Sequence, residues 1–414
     1  MKSVRFLVRL SELAQSRDVM EISRLNDKAF TRKREGGMGF PEALSFMLDM
    51  NKTTLQTRLN RFYGQTKGGI PISQPAFTKL RAQFDHTPFE IMVRDVVEEE
   101  YSGRYELPKW RGFHVFADDG SYLQLPGEPE LAETFGVRGP GDRPNAGVSI
   151  LYDVLHGWVI DPIITHTDMN EREQLKKHID YLCGNLPEIA AKTLLLLDRG
   201  YPSAEIFALL EESGLRFCVR CKNDHSTDIR NAPLGSSVVT LKSGQVVRVV
   251  KFLLGSEIKT LVTNLFDLPA TDFPALYAMR WGIETMYHQL KRVISVEKFS
   301  GRTPNSIRQD FWASMVLLNT AAVFKKEADE ELAKRQKGKQ LKHSYQVRGT
   351  DLMIVLRDRF IFSVFCGRPL MSKMQFKAAM RELARAVSPI RPGRAFPRIP
   401  KPCAAARHNL KSFL

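Results

Sequence analysis

Three acidic residues stand out by their positions in the sequence: Asp119, Asp198 and Glu284. Each Asp follows a short apolar run that predicts a strand, and Glu284 lies in a segment that predicts a helix. Side chains at strand ends emerge from a rigid element into a crevice. Carboxylates that converge there repel one another unless cations neutralise them, and such hard oxygen ligands suit Mg²⁺ or Mn²⁺. A pair of these ions can activate a water or a 3′-hydroxyl and stabilise the leaving oxygen of a phosphodiester.

Two features leave this interpretation open at the level of single residues. An Asp after a strand is often only a turn residue. Asp118 competes with Asp119, because successive side chains of a strand face opposite sides and a shift of one residue exchanges the two carboxylates. The chemistry of the acids therefore has to be weighed together with the segment that surrounds Glu284.

That segment runs from Tyr277 to Lys291 and predicts part of a helix from about 272 to 293. At about 100° per residue, Tyr277, Arg280, Glu284, His288 and Lys291 fall within an arc of roughly 80°, and apolar residues occupy the opposite face. One carboxylate is thus flanked by cations on a single line. Geometry alone leaves a second interpretation open, in which Arg280 and Glu284 form an ordinary ion pair on a surface helix.

The same segment resembles the signature of the insertion sequence 4 family of DDE transposases. The signature is Tyr, two residues, Arg, three residues, Glu, six residues, Lys, and all four positions match. Further segments are similar to motifs of that family: Asp119-Gly120-Ser121, Asp198-Arg199-Gly200-Tyr201 and Phe299-Ser300-Gly301. The resemblance extends through 29–34 and 55–62 near the start to a basic, proline-rich end, and so covers nearly the whole chain.

The resemblance implies an α/β fold with a ribonuclease H-like catalytic core and a β-rich insertion, flanked by N-terminal and C-terminal helical regions. It implies that Asp119, Asp198 and Glu284 are the catalytic metal ligands, with Mg²⁺ as the cofactor and Mn²⁺ as a substitute. It also implies that three further residues bind phosphates of the transposon end, namely Tyr277, Arg280 and Lys291. Their hydroxyl, guanidinium and ammonium groups suit that role. His288 shares the helical face of these residues but lies outside the signature, so His288 is not counted among the site residues.

One departure from the family concerns a tryptophan. Members that form DNA hairpins can use a Trp of the insertion to stack on a flipped base, whereas no Trp lies between Asp198 and Glu284 here. Either this step is absent, or a phenylalanine such as Phe252 or Phe266 replaces the ring.

Element patterns divide the chain into four regions. Residues 1–105 predict short helices, and 106–301 predict the catalytic core, since three strands followed by alternating helix and strand are typical of a ribonuclease H-like order. A β-rich insertion is expected at about 222–270. Residues 302–388 predict a helical region, and 389–414 a basic tail that lies extended against DNA or in solvent.

The N-terminal helices carry several local signals. Pro41 suits a first helical position, and Asn51 and Ser73 suit helix caps. Lys79 and Arg81 beside such helices favour a DNA-binding bundle, although a plain helical cap on the core explains the pattern equally well.

Composition supports a polyanionic partner. Lys and Arg total 61 against 46 Asp and Glu, which gives a formal charge of +15. The five scattered cysteines fit a reducing compartment, and Cys218 and Cys221 lie in a predicted strand where they face opposite sides. The longest apolar run, 311–324, is too short for a membrane span. We therefore expect a cytoplasmic, nucleoid-associated protein. The resemblance to the family implies that it works as a homodimer on transposon-end inverted repeats and target DNA.

Two other functions remain open from the residues. The same three acids would serve a two-metal nuclease that cuts DNA without strand transfer. The chain could also be an inactive DNA-binding repressor that occupies the ends of the element. An intact set of three acids argues against the second alternative.

Overall fold

The computed structural model describes residues 2–31, 37–49, 53–66, 69–102, 106–139, 141–356 and 373–390. Two compact units interleave along the chain. The first comprises Met1–Val96, Gln124–Pro144 and Gln289–Leu414, and the second comprises Val97–Leu123 and Asn145–His288. The predicted cap at Asn51 and residues 391–414 of the predicted tail lie outside the described residues.

The second unit is built on one eight-stranded sheet with the strand order β3-β2-β1-β4-β5-β8-β7-β6. Its strands are β1 (His114–Gln124), β2 (Asn145–Asp153), β3 (Trp158–Thr165), β4 (Thr193–Leu197), β5 (Arg216–Cys221), β6 (Gly235–Thr240), β7 (Val246–Leu254) and β8 (Glu257–Thr263). All five residues of β4 are buried, as is typical of a parallel strand covered on both faces. The large sheet with its helices confirms the predicted α/β class.

Strand pairing places the first two acidic motifs side by side. β4 pairs in parallel with β1 on one side and with β5 on the other. β2 and β3 form the predicted antiparallel hairpin. The C-terminal ends of β1, β4 and β5 therefore meet at one edge of the sheet, which is where an open α/β sheet forms its sites.

β1 differs from the prediction in length. The apolar pattern predicts a short strand that ends before Asp119, whereas β1 runs on to Gln124. Its pairing with β4 ends at Ala117, but the chain stays extended beside β2. Asp119 thus lies inside a strand rather than in a turn. Beyond Ala117 the strand is continued by polar residues, and β2 is its neighbour on one side only.

The predicted β-rich insertion forms β6, β7 and β8 and also contains a short helix, α11 (Thr227–Asn231), which the pattern does not predict. β8 pairs antiparallel with β5, so the insertion extends the main sheet. Cys218 and Cys221 lie on β5 as predicted, and both are buried. Burial raises the pKa of the Cys221 thiol to about 12.

The remaining helices of this unit are α8 (Glu171–Asn185), α9 (Pro187–Ala190), α10 (Ala204–Glu212), α12 (Phe273–Ala278) and α13 (Trp281–His288). The single helix predicted over about 272–293 is wrong, because the chain turns at Met279 and Arg280. The backbone N–H groups of Arg280 and Ile283 bond three residues back, at 3.1 Å each, as in a tight 3₁₀ turn. Because Gly282 has no side chain, the backbone of this turn lies close to Val154: a Cβ at position 282 would be 3.3 Å from the Cβ of Val154.

The first unit is mainly helical. It contains α1 (Lys2–Gln15), α2 (Arg17–Ser23), α3 (Phe40–Leu48), α4 (Leu55–Thr66), α5 (Gln74–Arg81), most of α6 (Thr87–Tyr101), α7 (Pro129–Phe135), a π-helical turn (Gln289–Ile294), α14 (Pro304–Gln336), α15 (Gly349–Val355) and α16 (Lys373–Leu383). Two short strands, β9 (Ser344–Val347) and β10 (Val387–Ile390), pair antiparallel. Pro41 lies in the first turn of α3, and Ser73 caps α5, as predicted. Among the described helices, none has the length and apolar composition to cross a membrane.

Arg81 lies inside this unit rather than on its surface. Its guanidinium donates to Asp310 at 2.9 Å, to the Ser300 hydroxyl at 2.6 Å and to the side chain of Gln309 at 2.6 Å. Arg81 and Asp310 are both almost fully buried. Arg81 is therefore committed to packing and cannot serve as a DNA contact, whereas Lys79 on the same helix is exposed.

Replacing Arg81 by Ala should lower the free energy of unfolding by about 3–5 kcal/mol, because it leaves Asp310 as an uncompensated buried charge. Urea unfolding followed by circular dichroism measures this. Lys79→Ala is the matched control and should change stability by less than about 0.5 kcal/mol. Equal stability of the two variants would contradict a structural role of the Arg81 ion pair.

Candidate active site

The strand register sets Asp119 beside Asp198. The last pair of the parallel strands β1 and β4 is Ala117 with Leu196, and each acid lies two residues beyond that pair. The two carboxylates are close enough for the charge of Asp198 to raise the pKa of Asp119. The adjoining β5 aligns Val219 with Leu197, so Arg220 comes next to Asp198. The Arg220 guanidinium lies 3.9 Å from the Asp198 carboxylate. The two aspartates thus meet at the C-terminal edge of the parallel strands.

Asp118 and Asp119 have different surroundings. Asp118 is fully buried and accepts a hydrogen bond from Ser149 at 3.3 Å. His178 of α8 lies 3.4 Å from Asp118 and bonds Asp161 at 2.7 Å. The Asp119 side chain faces the other side of the strand and is 26% exposed. Only Asp119 of this pair is accessible to solvent ions or to DNA.

The electrostatics of Asp119 reflect crowding by other acids. Burial raises the pKa of its carboxyl to about 7, and the charges of Asp118, Glu171 and Asp198 act in the same direction. The positive charge of Arg280 opposes them. An ionised Asp119 therefore depends on a nearby cation.

Arg280 supplies that cation. Its guanidinium bonds the Glu284 carboxylate at 2.5 Å and lies 3.9 Å from Asp119. The negative charge of Asp198 also raises the pKa of Arg280, against the effect of burial. The buried guanidinium thus stands among all three predicted metal ligands. The ion pair between Arg280 and Glu284, left open by the sequence, is present.

Two tyrosines bind the aspartates. The Tyr277 hydroxyl donates to the Asp198 carboxylate at 3.2 Å, and the Tyr287 hydroxyl donates to the backbone oxygen of Asp119 at 2.8 Å. Burial raises the pKa of both phenols, so they remain neutral donors. Tyr287 precedes His288, which is exposed, and its part in holding Asp119 has no counterpart in the predicted site.

Lys291 belongs to the first unit, in the π-helical turn Gln289–Ile294. Burial lowers the pKa of its ammonium group, and the charge of Glu297 opposes that shift. The other five predicted site residues all lie in the second unit: Asp119, Asp198, Tyr277, Arg280 and Glu284.

Glu171 is the acid that sequence reasoning missed. It is the first residue of α8, whose N-cap is Asn170. Burial raises the pKa of its carboxyl, and the charge of Asp198 adds to the rise. The only signal in the sequence is an acid at a helix start, which is common because of the helix dipole and carries no site information.

Carboxylate oxygens are the hard donors that Mg²⁺ and Mn²⁺ prefer. In the described ranges, no three His, Cys, Asp or Glu side chains are grouped closely enough to hold a metal ion. Arg280 takes part of that space, since it bonds Glu284 and approaches Asp119. The donor set fits a divalent cation in its chemistry, with the guanidinium as the positive charge already present.

The aromatic side chains that could stack on a base differ in exposure. Trp281, directly after Arg280, is 58% exposed. In the insertion, Phe266 is 44% exposed, and Phe252 on β7 is half-buried. Phe266 and Trp281 therefore present more ring surface to solvent than Phe252 does.

Comparison with known families and proteins shows which proteins this chain is similar to. The family described as "Transposase DDE domain" matches residues 111–320, just over half of the chain. The transposase InsG of insertion sequence element IS4 from Escherichia coli K12 is 23% identical over 335 residues, which cover 71% of this chain and 69% of InsG. The putative transposase InsZ of the same organism is 30% identical over 165 residues, covering 39% of this chain and 54% of InsZ.

Among solved structures, the fold is similar to the piggyBac transposase in its synaptic complex with hairpin DNA. The TM-score is 0.51 at 11% sequence identity, and the match covers 98% of this chain and 92% of that chain. This likeness supports the ribonuclease H-like core that the element order predicts. The matched domain and the relatives identify the chain as a DDE transposase of the insertion sequence 4 family.

Proposed function

We propose that this transposase binds the terminal inverted repeats of an insertion sequence and catalyses metal-dependent strand cleavage and strand transfer. The observation that carries the proposal is the set of three acids around one guanidinium, at the sheet edge where the parallel strands end. Asp119 and Glu284 share Arg280, and Asp198 lies beside Arg220 and Tyr277. The formal charge of +15 supports DNA as the partner.

Asp119, Asp198 and Glu284 would hold the divalent cations, with Mg²⁺ as the physiological ion and Mn²⁺ as a substitute. Bound there, the ions would supply Lewis acidity to the attacking and leaving oxygens of a phosphodiester. Arg220 and Tyr277 hold the Asp198 carboxylate in place, and Tyr287 fixes the backbone of Asp119. The protein thus fixes the direction of its carboxylates before DNA arrives.

Tyr277, Arg280 and Lys291 are proposed to bind phosphates of the transposon end. Arg280 can leave Asp119 and Glu284 for a phosphate only when another cation takes its place on these carboxylates. The guanidinium then offers two parallel donors to the phosphate. Binding of metal and binding of the cleaved end are coupled in this way through one side chain.

Both ends of an element must be brought together for strand transfer. The working form proposed is therefore a homodimer on DNA that engages two inverted repeats and then target DNA.

Asp119→Ala, Asp198→Ala and Glu284→Ala should each abolish Mg²⁺-dependent nicking of an end-containing duplex, while binding of the duplex survives. The acids hold metal and contribute no attraction to phosphate. Nicking, joined products and gel-shift binding are measured on the same labelled DNA. Glu173→Ala, an exposed acid on α8, is the control and should behave as wild type.

Joined products in the wild type distinguish strand transfer from hydrolysis alone, and metal-dependent nicking excludes an inactive repressor. A single variant of the three that keeps near wild-type nicking would remove that residue from the catalytic set.

Arg280→Ala should lower the salt dependence of binding to a pre-cleaved end by about one unit of the log–log slope, since one phosphate contact is lost. Because Arg280 pairs with Asp119 and Glu284, we expect this difference from wild type with Mg²⁺ and not with EDTA. Lys291→Ala should lower the slope similarly in Mg²⁺. The measurement is the binding constant across a salt series. If both variants had the same slope as wild type in Mg²⁺, Arg280 and Lys291 would have a structural role in ion pairing and would not bind phosphate.

A further inference from the structure

Glu171 reaches the two aspartate motifs from α8. A Cβ placed on Gly120 would lie 2.8 Å from its Oε1, and a Cβ placed on Gly200 would lie 3.1 Å from its Oε2. Gly120 directly follows Asp119, and Gly200 lies two residues after Asp198. The two oxygens of one carboxylate thus face the two chain segments that carry the catalytic aspartates.

Backbone conformation does not explain why positions 120 and 200 are glycines. Gly120 and Gly200 do not adopt the positive φ that favours glycine, unlike Gly112 or Gly136. A side chain at 120 would collide with Glu171 and with Met169, whose Cε lies 2.8 Å from the added carbon. At 200, leaving aside the two neighbouring residues of the chain, the one atom of the described residues within 4 Å of the added carbon belongs to Glu171. The absence of side chains at both positions makes a space that the Glu171 carboxylate fills.

The helix that carries Glu171 is locked to the sheet. His178, two turns along α8, is fully buried and bonds Asp161 and Ser149 at 2.7 and 3.1 Å. Arg172 donates to the backbone oxygens of Gly200 and Pro202, at 3.3 and 3.1 Å. These contacts tie the start of α8 to the loop that follows Asp198. Glu171 is therefore held at the site by its scaffold rather than by an ion pair of its own.

The charges around Glu171 are unbalanced. Within the described part of the chain, its half-buried carboxylate has no hydrogen bond or ion pair, whereas Arg280 serves Asp119 and Glu284, and Arg220 serves Asp198. A carboxylate that is held close to other acids either takes up a proton or stays ionised beside a cation. This choice applies to Glu171 and to the aspartates next to it, and a bound divalent cation would favour the ionised form of all of them.

We propose that Glu171 is a fourth carboxylate of the catalytic centre and binds a divalent cation together with Asp119 and Asp198. The proposal deepens the proposed function and rests on it, because the cation is the one that the strand-end aspartates hold. Glu171 and Glu284 then bring carboxylates from two different helices to the aspartates at the strand ends.

The test measures Mn²⁺ binding to the full-length protein without DNA, from the electron paramagnetic resonance signal of free Mn²⁺. Glu171→Gln keeps the size of the side chain and removes its charge. It should weaken Mn²⁺ binding about tenfold or more. Glu173→Gln, two residues along the same helix and exposed, should bind Mn²⁺ as wild type does.

A second variant separates a metal ligand from a structural acid. Gly200→Ala adds a methyl group that touches Glu171 alone, so it should weaken Mn²⁺ binding in the wild-type background and have no further effect beside Glu171→Gln. Equal Mn²⁺ affinity of Glu171→Gln and Glu173→Gln, with binding lost in Asp119→Ala, would overturn the role of Glu171 and leave the proposed function intact. Unchanged binding in Asp119→Ala as well would overturn the metal centre itself.

Discussion

Repulsion between carboxylates at one sheet edge is the constraint on which the rest of the second unit depends. Burial, together with the charges of Asp118, Glu171 and Asp198, raises the pKa of Asp119 from 3.8 to about 7, although Arg280 opposes the shift. Even with the Arg280 guanidinium close to Asp119 and paired with Glu284, this rise corresponds to about 4 kcal/mol against ionisation of Asp119. A divalent cation would offset more, because it carries twice the charge and bonds the oxygens directly. The proposed function therefore includes the exchange of one positive charge for another at this sheet edge.

The scaffold resists this repulsion by burying its own polar contacts. His178 bridges Asp118, Asp161 and Ser149 beneath the site, where all of these side chains are removed from water. Losing one partner there would leave an unpaired buried charge, so the geometry of β1 and α8 is fixed strongly. Asp118 thus serves the site by holding the strand on which Asp119 lies. The adjacent carboxylates of one strand have separate tasks because their side chains face opposite sides.

Much of the fold follows from local patterns in the sequence. Apolar runs such as 193–197 predict strands, and β4 is one of them. Two apolar runs on either side of one turn predict the hairpin of β2 and β3. Local patterns fail where tertiary contacts decide the conformation. β1 continues past Asp119 because β2 stays beside it, and the helix breaks at Met279 and Arg280, where the close approach of Gly282 to Val154 is visible only in three dimensions.

The candidate site likewise contains residues that the sequence predicts and one that only the fold brings there. Asp119, Asp198 and Glu284 are predicted by the resemblance of their segments to the family motifs, whereas local patterns alone leave Asp118 and an ordinary ion pair between Arg280 and Glu284 open. Glu171 cannot be predicted in this way, because its closeness to Gly120 and Gly200 depends on how α8 lies on the sheet. Arg81 shows the opposite error: a basic residue on a short helix favours a DNA contact, but its partners at 300–310 are distant in sequence and bury it.

The most direct test of this account is a crystal structure of the protein grown with Mn²⁺, with anomalous diffraction locating the ions. We expect Mn²⁺ to be bound by Asp119 and Asp198, with the Arg280 guanidinium moved away from Asp119 and Glu284. Ions bound elsewhere, or a guanidinium that stays on both carboxylates while Mn²⁺ occupies the site, would contradict the exchange of cations at the sheet edge.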